Sequence, residues 1–326
     1  MAGLLLASCR KPDLLLCGPT QTTTAPPTTT SPTPTTPTSS ISLNAFFSKY
    51  GAAMQRRGFV IGQGQPIRTA GGAALSVAGV NFVSSTNAVA QDSAYLYLRE
   101  VYTVPQMVLS DLPTMSQAGQ LLVSGGEFYM QVRAASGQRL RALPTASSPA
   151  QPVWQSPVPP EQDTTPQQYW QKPAAEADWT LLPNVFVQTV AQPTLVAGPA
   201  YQTTMLLDTL LYRNIDQVWR FYQGSATLGT VAVTTPTTAA NETRVLLRPV
   251  GFNGLFRMRA NSASGTNLLW TAALPLGATL KAVVLQSVNG QLYVGSQLFT
   301  MQSAVALTPP LTAVSEAEAL AFIQAL

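Results

Sequence analysis

Lys281-Ala282-Val283-Val284-Leu285-Gln286-Ser287-Val288-Asn289-Gly290-Gln291-Leu292-Tyr293-Val294 is the stretch that decides the fold class. Two apolar runs flank Asn289-Gly290, the dipeptide that best meets the two positive φ angles of a type I′ turn. The spacing predicts a β-hairpin, with Lys281 to Val288 paired to Gln291 to Met301. Strand signals continue upstream at Met205 to Tyr212, Arg244 to Leu247, Leu255 to Ala260 and Asn267 to Ala272.

The first half reads the same way. From Ala94 to Tyr102 the chain alternates, placing Leu96 and Leu98 on one face and Tyr95, Tyr97 and Arg99 on the other. Glu100 falls on the leucine face, where a carboxylate is either catalytic or paired with an arginine or backbone amides. Glu127 to Ala134 alternates through Phe128, Met130 and Val132, and Ser136-Gly137-Gln138 turns it into Arg139 to Leu143, a second hairpin. Helical spacing appears at the two ends. Asn44 to Tyr50 carries Phe46, Phe47 and Tyr50 and stops at Gly51, while Ser315-Glu316-Ala317-Glu318 forms a capping box opening a helix to Leu326, with Leu320 and Ile323 free to dock. The expectation is a mainly β fold with a short N-terminal and a short C-terminal helix. Two β-sandwich-like domains, 41–145 and 201–306, are joined by a Pro/Gln-rich connection at 146–200 and followed by a tail helix within 307–326.

Composition closes several functional classes. The 326 residues include no histidine, so Ser-His-Asp and Cys-His constellations and the common catalytic zinc sites are excluded. Charged residues make up 10%, and the net charge of +4 is spread along the chain with no basic run, which argues against nucleic acid as a partner. Ser-x-x-Lys occurs at Ser8 to Lys11, in the N-terminal address region. Asp92, Glu100, Asp111, Glu127, Asp208 and Asp216 could supply a glycosidase pair, but their spacing selects none. Glu161-Gln162-Asp163 and Glu176-Ala177-Asp178 lack the spacing of an EF-hand, and Gly62-Gln63-Gly64 lacks the context of a nucleotide loop. No catalytic residue, metal ligand or cofactor site is predicted, and the chain reads as a non-enzyme. Trp154, Trp170 and Trp179, in the connection, are the candidate ligand contacts: exposed indoles would stack on sugar rings, and packed ones would belong to the sandwich.

The N-terminus reads as an address. Leu6-Ala7-Ser8-Cys9 resembles the end of a bacterial lipoprotein signal, with Cys9 as the residue that is acylated; Cys17 follows Leu16, where the cleaving peptidase prefers a small residue. Residues 1–17 are therefore the signal and anchor region, and 18–40, almost wholly Thr, Pro, Ser and Ala, form a disordered stalk. No apolar run reaches the roughly 18–20 residues that span a bilayer, so membrane attachment is expected through lipid.

Four further stretches carry a family resemblance. Phe46-Phe47-Ser48-Lys49-Tyr50-Gly51 opens the folded part; Leu98-Arg99-Glu100-Val101-Tyr102 leads to Met107-Val108-Leu109-Ser110 and Pro113-Thr114; Leu122-Val123-Ser124-Gly125-Gly126-Glu127-Phe128 follows. Asn214-Ile215-Asp216-Gln217-Val218-Trp219-Arg220-Phe221 matches in the second half, with Gln217-Val218-Trp219 intervening before Arg220. Together these resemble cell-envelope lipoproteins of the Bacteroidota. The resemblance implies β-sandwich modules exposed on the envelope of an outer-membrane lipoprotein and brings no catalytic residues. The resulting expectation is a binding or structural component of a surface assembly. Its partners would be envelope proteins or glycans, and the alternative reading is a carbohydrate-binding or carbohydrate-active surface protein.

Overall fold

The computed structural model describes residues 40–143, 150–159, 166–173, 178–205, 207, 211–222, 226–236, 240–264 and 266–326. Cys9, the stalk up to residue 39, Glu161, Asp163, Glu176 and Asp208 lie outside them.

Twelve strands join in one antiparallel sheet. Its hydrogen-bonded order is Gln55–Val60, Ser93–Val101, Leu122–Ala134, Tyr212–Val218, Gln168–Lys172, Thr180–Val190, Ala200–Thr204, Val153–Pro157, Ala74–Ser76 and Ile67–Arg68. Arg139–Ala142 pairs beside Leu122–Ala134 and carries Phe82–Val83. The long strand Thr180–Val190 lets the sheet turn back on itself. It pairs with Gln168–Lys172 near its start and with Ala200–Thr204 near its end, and its register shifts between Leu181 and Phe186, around Pro183, which cannot donate to a ladder. The inner face closes on Leu75, Leu96, Leu98, Phe128, Met130, Val132, Trp154, Tyr169, Tyr201 and Ile215.

The C-terminal strands make a second layered core. A four-stranded sheet ordered Arg259–Ser264, Asn267–Pro275, Leu228–Thr235, Ala304–Leu307 faces a five-stranded one ordered Phe256–Arg257, Thr243–Pro249, Thr279–Val288, Gln291–Thr300, Thr312–Val314. Val231, Val233, Val245, Leu247, Trp270, Leu280 and Val284 fill the space between them. The opposite face of the five-stranded sheet, with Leu246, Val283, Leu285, Leu292 and Val294, lies under helices α1 (Leu43–Tyr50), α2 (Val104–Leu109) and α3 (Glu316–Gln324). Thr279–Val288 is thus buried on both faces, which accounts for its unbroken Ala282 to Leu285 run. Each such side chain contributes roughly 1.5–3 kcal/mol by leaving water. The hairpin turn is as the sequence predicts, with φ of 50° at Asn289 and 82° at Gly290.

Capping also follows the sequence. Ser315 and Glu318 form the reciprocal box at α3, Thr103 and Gln106 form another at α2, and the Ser42 hydroxyl accepts from the Ala45 N–H at α1. Gly51 ends α1 through close approach, since a Cβ there would lie 2.7 Å from the Phe47 carbonyl oxygen and 2.9 Å from that of Leu109.

The stretch 146–200 departs from expectation. It supplies Val153–Pro157, Gln168–Lys172 and Thr180–Val190 to the large sheet, with Pro157 at a strand end and Pro183 at the register shift, while its tryptophans are buried. Tyr212–Val218, expected in a second domain, pairs with Leu122–Ala134 of the first, so strand pairing crosses the 145/201 division. Met205 and Leu207 bury into the core outside any strand, and the next strand begins at Tyr212. Leu228–Thr235, hidden in the sequence among threonines, is a strand that buries Val231 and Val233.

Candidate functional site

Alternation along Ser93–Val101 turns Tyr95, Tyr97 and Arg99 away from the sheet's core, and antiparallel register lines their neighbours up in rows. The first row is Gly58, Tyr95, Arg133, Arg139. The second is Arg56, Tyr97, Gln131. The third is Arg99, Tyr129, Tyr212, Lys172, and the fourth is Val101, Glu127, Asn214, Trp170.

Rows one to three bring four arginines and four tyrosines together and contain no carboxylate. The Arg56 guanidinium lies 3.7 Å from the Tyr95 ring centroid and that of Arg133 lies 5.8 Å from Tyr97, while Tyr129 and Tyr212 stack at 5.2 Å. Arg133 is held by neutral groups, donating to Gln131 Oε1 at 3.1 and 3.2 Å and to the Gly137 carbonyl at 3.3 Å. Arg133 also stands directly across from Arg139, an unfavourable pairing of like charges. Arg99 lines a cleft of about 500 Å3 beside α1, together with Asn44, Lys49, Met54, Ser110 and Asp111, and its buried Nε has no hydrogen-bond partner among the described residues.

The fourth row is closed. It sits where Ser124-Gly125-Gly126-Glu127 bulges against Asn214 to Asp216 and the register slips. Gly126 takes φ of 138°, and a Cβ on Gly125 would fall 2.6 Å from the Tyr201 ring and 2.8 Å from the Ile215 carbonyl oxygen, so both positions require glycine. Neither Glu127 oxygen has a hydrogen-bond partner; Asp216 accepts from the Asn214 amide, whose own oxygen accepts from the Ser124 hydroxyl at 2.9 Å. Lys172 places its Nζ 4.3 Å from the Trp179 ring centroid. Burial pushes the Glu127 carboxyl up to about 8 against the pull of Lys172, and pushes the Lys172 ammonium down to about 8 against the pull of Glu127. Burial, and then the neighbouring Glu127, hold Asp216 well above the carboxylate range.

No protein-family model matches the chain, and no curated protein matches it. Among solved structures it is similar to the γ-CGTase of alkalophilic Bacillus clarkii at 9% identity, over 79% of this chain and 41% of that one, with a TM-score of 0.20. A likeness of that size carries no statement about fold or activity.

Of the carboxylates the sequence offers, the structure brings Glu127 and Asp216 together and seals both, at 1% and 0% exposure. Glu100 accepts from Thr69 Oγ1 (2.7 Å), Tyr102 Oη (2.8 Å), Gln55 Nε2 (2.7 Å) and the Gly71 N–H (3.1 Å), so it pins the 69–72 turn through neutral donors. Asp111 binds Arg244 and Arg257, and Asp92 sits in a turn. The tryptophans need a correction as ligand contacts. Trp154 packs on Phe128 in the core, Trp170 donates to the Asp216 carbonyl at 3.1 Å, and Trp179 donates to the Pro113 carbonyl at 2.9 Å, so none offers a ring face to solvent. Their large apolar area favours burial; Trp170 and Trp179 satisfy their ring N–H groups there, while the Trp154 Nε1 has no partner among the described residues. Among the described residues no group of three or more Asp, Glu, Cys or His could hold a metal ion, and no helix is long and apolar enough to cross a membrane.

Sequence reasoning found the Tyr95, Tyr97, Arg99 face but not the neighbours that extend it. Gln55–Val60 and Arg139–Ala142 join it through pairings between strands distant in sequence. Lys172 was missed as well, because it lies in a stretch read as a connection.

Proposed function

We propose that this chain is a non-enzymatic lipoprotein of the bacterial envelope, anchored at the outer membrane through Cys9, which works by binding through its Arg–Tyr sheet face. The observation carrying the reading is the set of three partly open rows with four arginines, four tyrosines and no carboxylate. A surface that concentrates one sign of charge beside a polar cleft favours association with a partner of the other sign. The buried carboxylates offer no route to catalysis on a bulky substrate, because Glu127 and Asp216 are sealed from solvent. The lipoprotein-like Leu6-Ala7-Ser8-Cys9 and the Thr/Pro stalk support a tethered body.

Two measurements test this reading. The mass spectrum of the chain expressed in a bacterial host should show a diacylglyceryl or triacylglyceryl adduct on Cys9, and an unmodified Cys9 would remove the anchor. In a Cys9→Ser background the full chain should cosediment with envelope fragments. Adding Arg56→Ser, Arg99→Ser and Arg133→Ser should weaken retention by roughly tenfold or more, the loss of at least one charge-assisted contact. Equal retention of the two proteins would overturn the binding face.

A further inference from the structure

We infer that the Arg–Tyr face binds an acidic polysaccharide, a chain of sugar rings bearing carboxylates at intervals. The inference rests on the reading of that face as the binding surface and adds the chemistry of what it binds. Guanidinium groups suit carboxylates because their planar fork can donate two parallel hydrogen bonds.

Spacing narrows the class of polyanion. Same-face residues stand about 7 Å apart along a strand and neighbouring strands about 4.8 Å apart, so Arg133 in the first row, Arg56 in the second and Arg99 in the third, on three adjacent strands, have backbones separated by about 8 to 14 Å. A nucleic acid strand carries a charge at every nucleotide and is met by closely set cations. Here tyrosines fill the intervals instead. Tyr95 lies under Arg56 and Tyr97 under Arg133, which caps ring faces that bases would otherwise stack on. The hydroxyls of Tyr95, Tyr97 and Tyr129 make no hydrogen bond to any described residue, and so remain available to the hydroxyls of a sugar.

An independent observation lies where the face ends. Arg99 enters the cleft of about 500 Å3 beside α1 with a buried Nε that no protein group satisfies. A buried donor left in that state is unfavourable, and a carboxylate entering the cleft would satisfy it. The other charged groups of the cleft are already paired, Lys49 with Glu316 at 2.7 Å and Asp111 with Arg244 and Arg257, which leaves Arg99 as the group that a ligand carboxylate would meet.

The test uses the full chain with Cys9→Ser and three polymers, hyaluronate, whose carboxylates sit on alternate rings, neutral dextran and single-stranded DNA, compared by titration calorimetry at physiological salt. Hyaluronate should bind at least tenfold more tightly than either of the others, and Arg99→Ser should weaken it about tenfold with no change in thermal midpoint. Arg99→Lys, which keeps the charge and loses the fork, should fall between. Equal binding of DNA would reduce the face to a general polyanion surface, and equal binding of dextran would show that charge is not read; either overturns the inference. Failure to bind hyaluronate, with face-dependent retention on envelope fragments intact, would sink the ligand class alone. Retention indifferent to the arginines would sink the binding face and this inference together.

Discussion

Arg56, Tyr97 and Gln131 form one row of the large sheet's outer face, and Val101, Glu127, Asn214 and Trp170 form another two rows along the same strands. Both belong to the same antiparallel ladder, the second beside the Gly125-Gly126 bulge, and the chemistry is opposite. In the open row a guanidinium remains hydrated and costs nothing to keep charged. In the closed row Glu127 is driven toward its neutral form by burial, with no hydrogen-bond donor among the described residues to compensate its charge. Glu100, on the sheet's inner face, shows the third solution, a buried carboxylate satisfied by four donors. What covers a strand position decides its chemistry more than which strand it belongs to.

The largest expected effect lies in the buried charge cluster of Glu127, Asp216 and Lys172, in which Lys172 is the sealed end of the third row. Lys172→Ala removes the cation opposing Glu127 and Asp216 and the stem packed on Trp179, and should cost about 3–5 kcal/mol in chemical denaturation. A loss under about 1 kcal/mol would mean the cluster is indifferent to its charge. Next comes Glu100→Ala, which strands the donors of Thr69, Tyr102, Gln55 and Gly71; about 2–3 kcal/mol is expected, with the 69–72 turn losing hydrogen-exchange protection first.

Glu127 gives a pH signature with a definite sign. Its folded carboxyl titrates at about 8 against an ordinary 4.5, so the folded chain holds a proton that the unfolded chain has released between those values. Stability from this site is fully present below about pH 4.5 and declines as pH rises to about 8, by up to a few kcal/mol. Lys172, lowered from 10.5 to about 8, works the other way and restores stability between about pH 8 and 10.5, the two groups titrating as a pair. Thermal midpoints taken from pH 5 to 10 should show a minimum near 8, and Glu127→Gln should make the falling limb shallower, leaving the part that belongs to Asp216. The smallest effect on stability belongs to the open row, where Arg56→Ser should change unfolding free energy by less than about 0.5 kcal/mol.

Local chemistry made much of this fold legible. Asn289-Gly290, the capping box at Ser315 and the alternation from Tyr95 to Arg99 each act within a few residues, and each reappears in the structure. The stretch 146–200 was not legible, because strands such as Gln168–Lys172 are set between prolines and take their place from partners far along the chain. The same limit applies to the site. Only the pairing of Ser124 to Glu127 with Asn214 to Asp216 shows that a bulge at Gly125-Gly126 sets Glu127 beside Lys172 and Asp216. Arg133 and Arg56 stand on strands distant in sequence, and only the sheet brings them to one face.

The most direct measurement compares two triple variants in parallel, one open and one closed, in the Cys9→Ser background. Arg56→Ser/Arg99→Ser/Arg133→Ser should keep the wild-type thermal midpoint and lose retention on envelope fragments, while Glu127→Gln/Lys172→Met/Asp216→Asn should shift the midpoint and keep retention. A closed-row variant that loses retention while still folded, or an open-row variant that loses midpoint and not retention, would contradict the division between a binding face and a structural one.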